Sequence, residues 1–293
     1  MNTNINSTLR LALLFCYLFI LSEQALGQAF VMGKYPAYTP VNLKIKKSLD
    51  KVALEVRYRF TWTYDGEITT HSEQRTLLVG SNHNYSRNEV LYQNDSIATS
   101  LLSKGAKGVP LYSNPIVAYE VWTNLTSNIV EVGYRTPYDN MVISFSMPGN
   151  ELKWKFSDDA KQKILGYACS KATTTYRGRN VTAWFAEELP YNAGPYCFFG
   201  LPGLVMKVEY GKESWEAIGL RKGCVDEQIY EYARPVQNMS RKESISFLIG
   251  IYNDPVATYS SLGVECSSID NPDKILLPGS LKWDIPTLLK MEQ

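Results

Sequence analysis

The chain has 293 residues, 45% of them hydrophobic, and 30 Lys and Arg against 29 Asp and Glu, for a formal net charge of +1. That balance argues against a nucleic-acid binder, which needs a basic excess to displace counterions, and no dense basic stripe marks an anionic membrane surface. The length exceeds one small domain and suits a single large β domain with an appended tail.

The N-terminus reads as a targeting segment. Arg10 supplies positive charge, and Leu11 to Leu21 is an apolar run of eleven residues. A spanning helix needs about 20 residues, so this run is too short. Ala25-Leu26-Gly27 places small residues where a signal peptidase wants them, which predicts a signal peptide over 1–27 and export. The expected compartment is the periplasm or the outer membrane surface, or the chain is secreted. No later run approaches membrane-spanning length, so no transmembrane segment is expected after cleavage.

Five cysteines become four once Cys16 leaves with the leader: Cys169, Cys197, Cys224 and Cys266. An even number in an exported chain is consistent with disulfides, with three connectivities open. Cys169–Cys197 is the preferred pair because it closes the segment around a Gly/Pro-rich loop. No C-x-x-C unit supports a zinc ribbon or a thioredoxin-type site.

With 20 Tyr against 10 Phe and 6 Trp, and abundant Val, Ile and Thr, the chain favours pleated, half-buried surfaces. Val52 to Trp62 alternates, with Val52, Leu54, Val56, Tyr58, Phe60 and Trp62 on one face and Glu55, Arg57, Arg59 and Thr61 on the other. Asp65-Gly66 is the hairpin turn expected next. Further strands are predicted near 75–80, 90–93, 116–122, 128–134, 141–146 and 151–156. Tyr167 to Tyr176 is extended, Arg177-Gly178-Arg179 turns, and Asn180 to Ala186 returns. Glu187 to Phe199 reads as a loop, after which Leu204 to Tyr210 and Ser214 to Leu220 pair across Gly211-Lys212.

The pattern is that of a mainly β protein, a strongly curved antiparallel sheet or incomplete barrel, with a β-sandwich as the alternative. The β domain is expected over 28–223 and a C-terminal extension over 224–293. In the extension, Ser240-Arg241-Lys242-Glu243 is a capping box that predicts a helix near 240–252, stopped by Asn253-Asp254-Pro255. A second short helix follows to about Tyr259, then a tail broken by Pro272, Pro278 and Pro286.

The most distinctive stretch is Gly194-Pro195-Tyr196-Cys197-Phe198-Phe199-Gly200-Leu201-Pro202-Gly203-Leu204-Val205. Gly and Pro punctuate an apolar run, as a loop both sharply bent and buried requires. Leu201-Pro202-Gly203-Leu204 fits a type II turn, with Gly203 at positive φ. The segment from about 161 to 223 resembles the GLPGLI family of exported Bacteroidetes-type proteins, whose hexapeptide is seen here as Gly200-Leu201-Pro202-Gly203-Leu204-Val205. Ile164-Leu165-Gly166-Tyr167, Gly178-Arg179, Ala183-Trp184-Phe185, Glu188-Leu189-Pro190 and Gly194-Pro195 match in order. The resemblance implies an envelope protein without an agreed activity. A likeness in strand pattern to Lol-type lipoprotein carriers is an analogy of fold and transfers no function.

Only two histidines exist, His71 and His83, and there is no H-E-x-x-H, G-x-S-x-G or phosphate-cradling loop, so no cofactor or metal is predicted. The binding candidates are Arg179, Trp184, Glu188 and Tyr196. Arg179 can fork to a carboxylate or phosphate, or it can lock to Glu188 while Trp184 fills the core. Tyr196, Phe198 and Phe199 suit core plugs or ligand platforms. The leading reading is a non-enzymatic accessory or binding protein whose apolar concave face holds a lipid, a peptide or another envelope protein. The rivals are a hydrolase or transferase using Glu188 and Arg179, and a surface protein that pairs through a sheet edge.

Overall fold

The computed structural model describes residues 29–293 apart from Asp65 and Asn150. The expected leader and half of the Asp65-Gly66 turn therefore lie outside the described residues. Among the described residues, six strands come before the first helix: β1 (Ala29–Met32), β2 (Ala37–Tyr38), β3 (Lys46–Lys51), β4 (Leu54–Thr63), β5 (Thr70–Val79) and β6 (His83–Asn88). Helix α1 (Glu89–Ser103) leads to β7 (Tyr112–Ser113), β8 (Tyr119–Asn124), β9 (Ile129–Arg135) and β10 (Val142–Pro148). Then come β11 (Lys155–Ile164), β12 (Tyr167–Tyr176), β13 (Arg179–Ala186), β14 (Leu204–Tyr210) and β15 (Glu213–Lys222). The tail carries β16 (Gln228–Tyr232), β17 (Val236–Asn238), α2 (Arg241–Asn253), α3 (Pro255–Ser261), β18 (Glu265–Ser268) and α4 (Thr287–Met291).

Twelve strands form one mixed sheet in the order β11-β12-β13-β14-β15-β4-β5-β6-β8-β9-β10-β17. Every neighbouring pair is antiparallel except β10 with β17. Two meanders thus meet where β15 pairs with β4. The consequence is geometric. Laid flat, β10 and β11 would stand almost 50 Å apart at about 4.8 Å per strand. Yet the chain passes from Pro148 to Lys155, a reach of about 25 Å at most. The sheet must therefore curl until its two sides face each other, and it does so without closing into a barrel. The Tyr176 hydroxyl on β12 stands 3.8 Å from the Met147 sulfur on β10, and Thr174 Oγ1 donates to the Lys153 carbonyl at 2.8 Å.

The alternation in β4 holds, with Val56, Tyr58, Phe60 and Trp62 buried on the concave side and Arg57 and Arg59 exposed. That concave side is filled. Tyr196 and Phe198 from the Gly/Pro loop pack on Trp215, with ring centroids at 6.1 and 5.6 Å, and Phe198 also meets Tyr176 and Tyr210. The tail adds Trp283, Leu288, Leu289 and Met291 to the same apolar cluster. The expected open apolar trough is therefore corrected: the chain's own aromatic residues occupy it.

One predicted strand is a helix. Residues 90–93 fall in α1, capped by Asn88, whose side chain accepts from the Leu91 amide at 3.0 Å. Around Ser240 the capping box forms in both directions, with Glu243 accepting from the Ser240 amide at 3.1 Å. The segment after Gly223 returns to earlier strands, as β16 pairs with β3, β17 with β10 and β18 with β1.

On the convex side, α1 and the β3–β16 ribbon cover a buried ionic network. Arg135 forks onto Asp95 at 3.0 and 2.6 Å and donates through Nε to Glu120 at 2.8 Å. Arg234 forks onto the same Glu120 at 2.9 and 2.5 Å, and the Tyr85 hydroxyl adds a bond of 2.7 Å. Two acids and two bases cancel, which is the condition for burying charge at tolerable cost.

Candidate functional site

The predicted binding residues are not brought together. Arg177 (φ +49°) and Gly178 (φ +71°) form the β12–β13 turn, both in the left-handed conformation that such hairpins use. Arg179 follows on the surface, while Glu188 is exposed beyond the far end of β13. The seven steps along β13 alone measure about 23 Å. No ion pair joins Arg179 to Glu188 among the described residues; Arg177 is the residue that pairs, with Glu151 at 3.1 Å. Trp184 is half-buried on the convex side with the Lys171 ammonium 5.7 Å from its ring. Tyr196 lies buried in the concave plug, its backbone at φ +54°.

The glycines of the motif serve two different ends. Gly200 adopts φ +87°, and a Cβ there would meet only Trp154 Nε1 at an ordinary 3.9 Å, so the demand is conformational. Gly203 does not have positive φ, so the type II turn is corrected. A Cβ there would stand 2.2 Å from the Ala186 carbonyl oxygen, and one at Gly194 would stand 2.0 Å from that of Phe198. These two residues are glycine because backbone passes against backbone. Around them Leu201, Leu204 and Val205 are buried, and the Tyr58 hydroxyl donates to the Val205 carbonyl at 2.6 Å. Pro195 closes the turn before the plug by accepting from the Phe198 amide at 3.0 Å, and Pro202 is exposed.

The plug is chemically quiet. Burial, with Glu292 as the next contribution, pushes the Cys197 thiol well up, away from the thiolate a nucleophile needs. Burial likewise raises the hydroxyls of Tyr196, Tyr134 and Tyr176 and the carboxyl of Glu292, which accepts from Tyr176 at 2.9 Å. The disulfide expectation is corrected too. Cys169, Cys197, Cys224 and Cys266 are all free thiols, Cys224 exposed and the others buried. Instead of bonding to Cys197, the Cys169 sulfur donates to the Tyr167 carbonyl at 3.6 Å, and Arg221 approaches Cys224 at 3.4 Å. No cluster of His, Cys, Asp or Glu among the described residues could hold a metal.

A groove on the convex side was not foreseen. It encloses about 320 Å³ between β6, β8, β9 and β10 on one side and the β3–β16 ribbon on the other. Trp122 is its aromatic floor, stacked on Tyr85 with centroids 5.0 Å apart and flanked by Arg234, whose guanidinium lies 5.2 Å from the ring. Gly133 makes room for the indole, since a Cβ there would stand 3.3 Å from its edge and 2.7 Å from Val142. Around the floor stand His83, Asn124, Ser127, Glu131, Glu231 and Tyr232. Trp122 Nε1 and His83 Nδ1 are shielded and have no hydrogen-bond partner. The sequence signal for this groove was the alternation in β8: Tyr119, Val121 and Thr123 face the core, so Trp122 shares the outer face with Glu120. A second, more polar cleft of about 530 Å³ lies beside Lys153, Lys155, Thr173, Thr175, Asn180 and Thr182.

Residues 175–207 match the model of a Bacteroidetes-associated family described as a protein of unknown function, Porph_ging. The match runs from the end of β12, through the Gly/Pro loop, into β14. Two solved structures of PNGF-II are similar to this chain. The one in space group P21 has a TM-score of 0.46 and 18% identity, over 67% of this chain and 33% of that one. The one in space group C2 has a TM-score of 0.45 and 16% identity, over 67% and 32%. This chain thus spans about a third of their length. No curated protein matches it. No helix among the described residues is long and apolar enough to cross a membrane.

Proposed function

We propose that this chain is an exported, non-catalytic binding or accessory protein of the bacterial cell envelope, of the GLPGLI type, that works through its convex surface. The observation that carries this reading is the groove over Trp122, an aromatic floor with polar walls, beside which two ring nitrogens, Trp122 Nε1 and His83 Nδ1, are shielded and have no partner within the protein. Unpaired polar groups beside a wide aromatic surface are what a ligand can satisfy. On the concave side, among the described residues, the chain's own aromatic rings form the plug.

Indole N–H resonances test this directly. Trp215, Trp154 and Trp283 donate within the protein, to Tyr119 at 2.9 Å, to the Phe199 carbonyl at 2.8 Å and to the Gly33 carbonyl at 3.0 Å. A small-molecule extract of Bacteroidetes-type envelopes, added to 15N-labelled protein, is expected to shift Trp122 and leave those three unmoved. An unmoved Trp122, or movement of the interior three instead, refutes the reading. The latter outcome would restore a carrier that opens its core.

A further inference from the structure

We infer that the Trp122 groove takes a neutral sugar ring, stacked by its apolar face on the indole and held at its rim by hydrogen bonds; this rests on reading the groove as the working surface. The argument starts from the chemistry of the lining. A ligand that lies on a flat ring yet offers hydroxyl groups in its own plane is a pyranose, with C–H groups on one face and hydroxyls around the edge. The lining mirrors that division. Its floor is Trp122, with Leu49, Ile129, Val142 and Val236 completing the apolar part.

The rim supplies acceptors and donors of several kinds: the carboxylates of Glu131 and Glu231, the Asn124 amide, the Ser127 hydroxyl and the His83 ring. Trp122 Nε1–H is an unused donor, and His83 Nδ1 is unused as well. Neither is met by the protein: a hydroxyl oxygen can accept from the indole N–H, and a hydroxyl can donate to or accept from the His83 nitrogen according to its tautomer.

Charge argues in the same direction. Arg234 is the basic residue of the lining, and its guanidinium is already forked onto Glu120. An anionic ligand would find no free cation and would meet two carboxylates. An ammonium ligand would have to settle beside a guanidinium only 5.2 Å from the indole. A neutral polyhydroxylated ring meets neither obstacle. Its hydroxyls can donate to Glu131, which now accepts from Ser144 at 2.8 Å, and the groove's volume of about 320 Å³ admits a ring of that size.

The test titrates the 15N-labelled protein with methyl glycosides of glucose, galactose, mannose and N-acetylglucosamine, with tetramethylammonium and inorganic sulfate run in parallel. At least one glycoside is expected to shift the Trp122 indole signal saturably, with Kd on the order of 1 mM, the range open to one stacked ring with a few hydrogen bonds. Trp122→Ala is expected to abolish binding. Because that change also removes packing on Tyr85, Asn124→Ala is the second variant, expected to weaken binding several-fold with the interior indole signals unchanged. Tetramethylammonium shifting Trp122 while every glycoside fails overturns the inference, as does sulfate doing so. Glycosides failing where the envelope extract succeeds overturns the sugar and leaves the groove standing. Failure of both removes the groove itself.

Discussion

Gly200 and Gly203 stand three positions apart in one hexapeptide, and the structure requires them for unrelated reasons, so their substitutions should separate. At Gly203 an added Cβ would lie 2.2 Å from the Ala186 carbonyl oxygen, 2.7 Å from its carbon and 3.0 Å from the Glu187 Cα. All three are backbone atoms, so relief requires the loop and the end of β13 to part by about 1 Å. In a close-packed core such overpacking costs about 1–3 kcal/mol and occasionally more, and Gly203→Ala belongs at the upper end because no flexible side chain can give way. At Gly200 the nearest atom is Trp154 Nε1, 3.9 Å from the built Cβ, and only the φ of +87° is demanding. The cost there is the left-handed penalty of about 1–2 kcal/mol, smaller for Asn than for Ala. Equilibrium urea unfolding of the four variants decides the matter. Gly200→Asn should be milder than Gly200→Ala, whereas Gly203→Asn should be at least as damaging as Gly203→Ala. If Asn rescues position 203 relative to Ala, the close-approach explanation is wrong and a positive-φ turn is correct after all.

Further outcomes follow from other parts of the molecule. Glu120→Ala strands Arg234 and half of Arg135 in a buried site, and should cost about 3–5 kcal/mol in urea unfolding; a loss below about 1 kcal/mol would mean that the network is hydrated. Asp139, raised to about 6 by burial against bonds from Thr136 and the Met141 amide, favours the fold in its protonated form. Its contribution is complete below the unfolded value near 4 and is lost as pH rises through about 6, so Asp139→Asn should gain stability relative to wild type across that window; a constant difference would refute the shift. For the thiols after residue 28, a colorimetric reagent should titrate Cys224 quickly and Cys169, Cys197 and Cys266 only on unfolding; two thiols missing from the unfolded total would reinstate a disulfide.

Where sequence and structure agree, the local signal was self-sufficient. Tyr167 to Tyr176 and Leu204 to Tyr210 begin and end where expected, because turn glycines bound both strands and, in the second, Leu204, Met206, Val208 and Tyr210 alternate. The Ser240 capping box is likewise complete within four residues. Helix α1 was misread because its inward stripe is Leu91, Asp95 and Ala98, in which a carboxylate takes an apolar position. That placement makes sense only with Arg135, forty residues later, forking onto it. The short strands β16, β17 and β18 were missed for a related reason: each is held by a partner far away in the chain rather than by its own pattern. The Gly/Pro loop was recognised as buried architecture. The reason for Gly203 was misassigned, since close approach between two backbones is a property of the folded pair and not of the tetrapeptide.

The same distinction separates the plug from the groove. On the concave side, Tyr, Phe and Trp rings pack on one another and Trp215 Nε1 donates to Tyr119, while Trp62 Nε1 is buried without a partner. Burial there drives acids and thiols toward their neutral forms, which suits a core and removes reactive groups. On the convex side, Arg234 belongs to two structures at once: its two nitrogens are spent on Glu120, and its plane lies beside Trp122. The buried charges therefore do more than hold α1 and the β3–β16 ribbon to the sheet. They fix the wall of the groove whose floor is Trp122. A site held from beneath by four matched charges is preorganised, so a ligand arriving over Trp122 need not order the side chains that receive it.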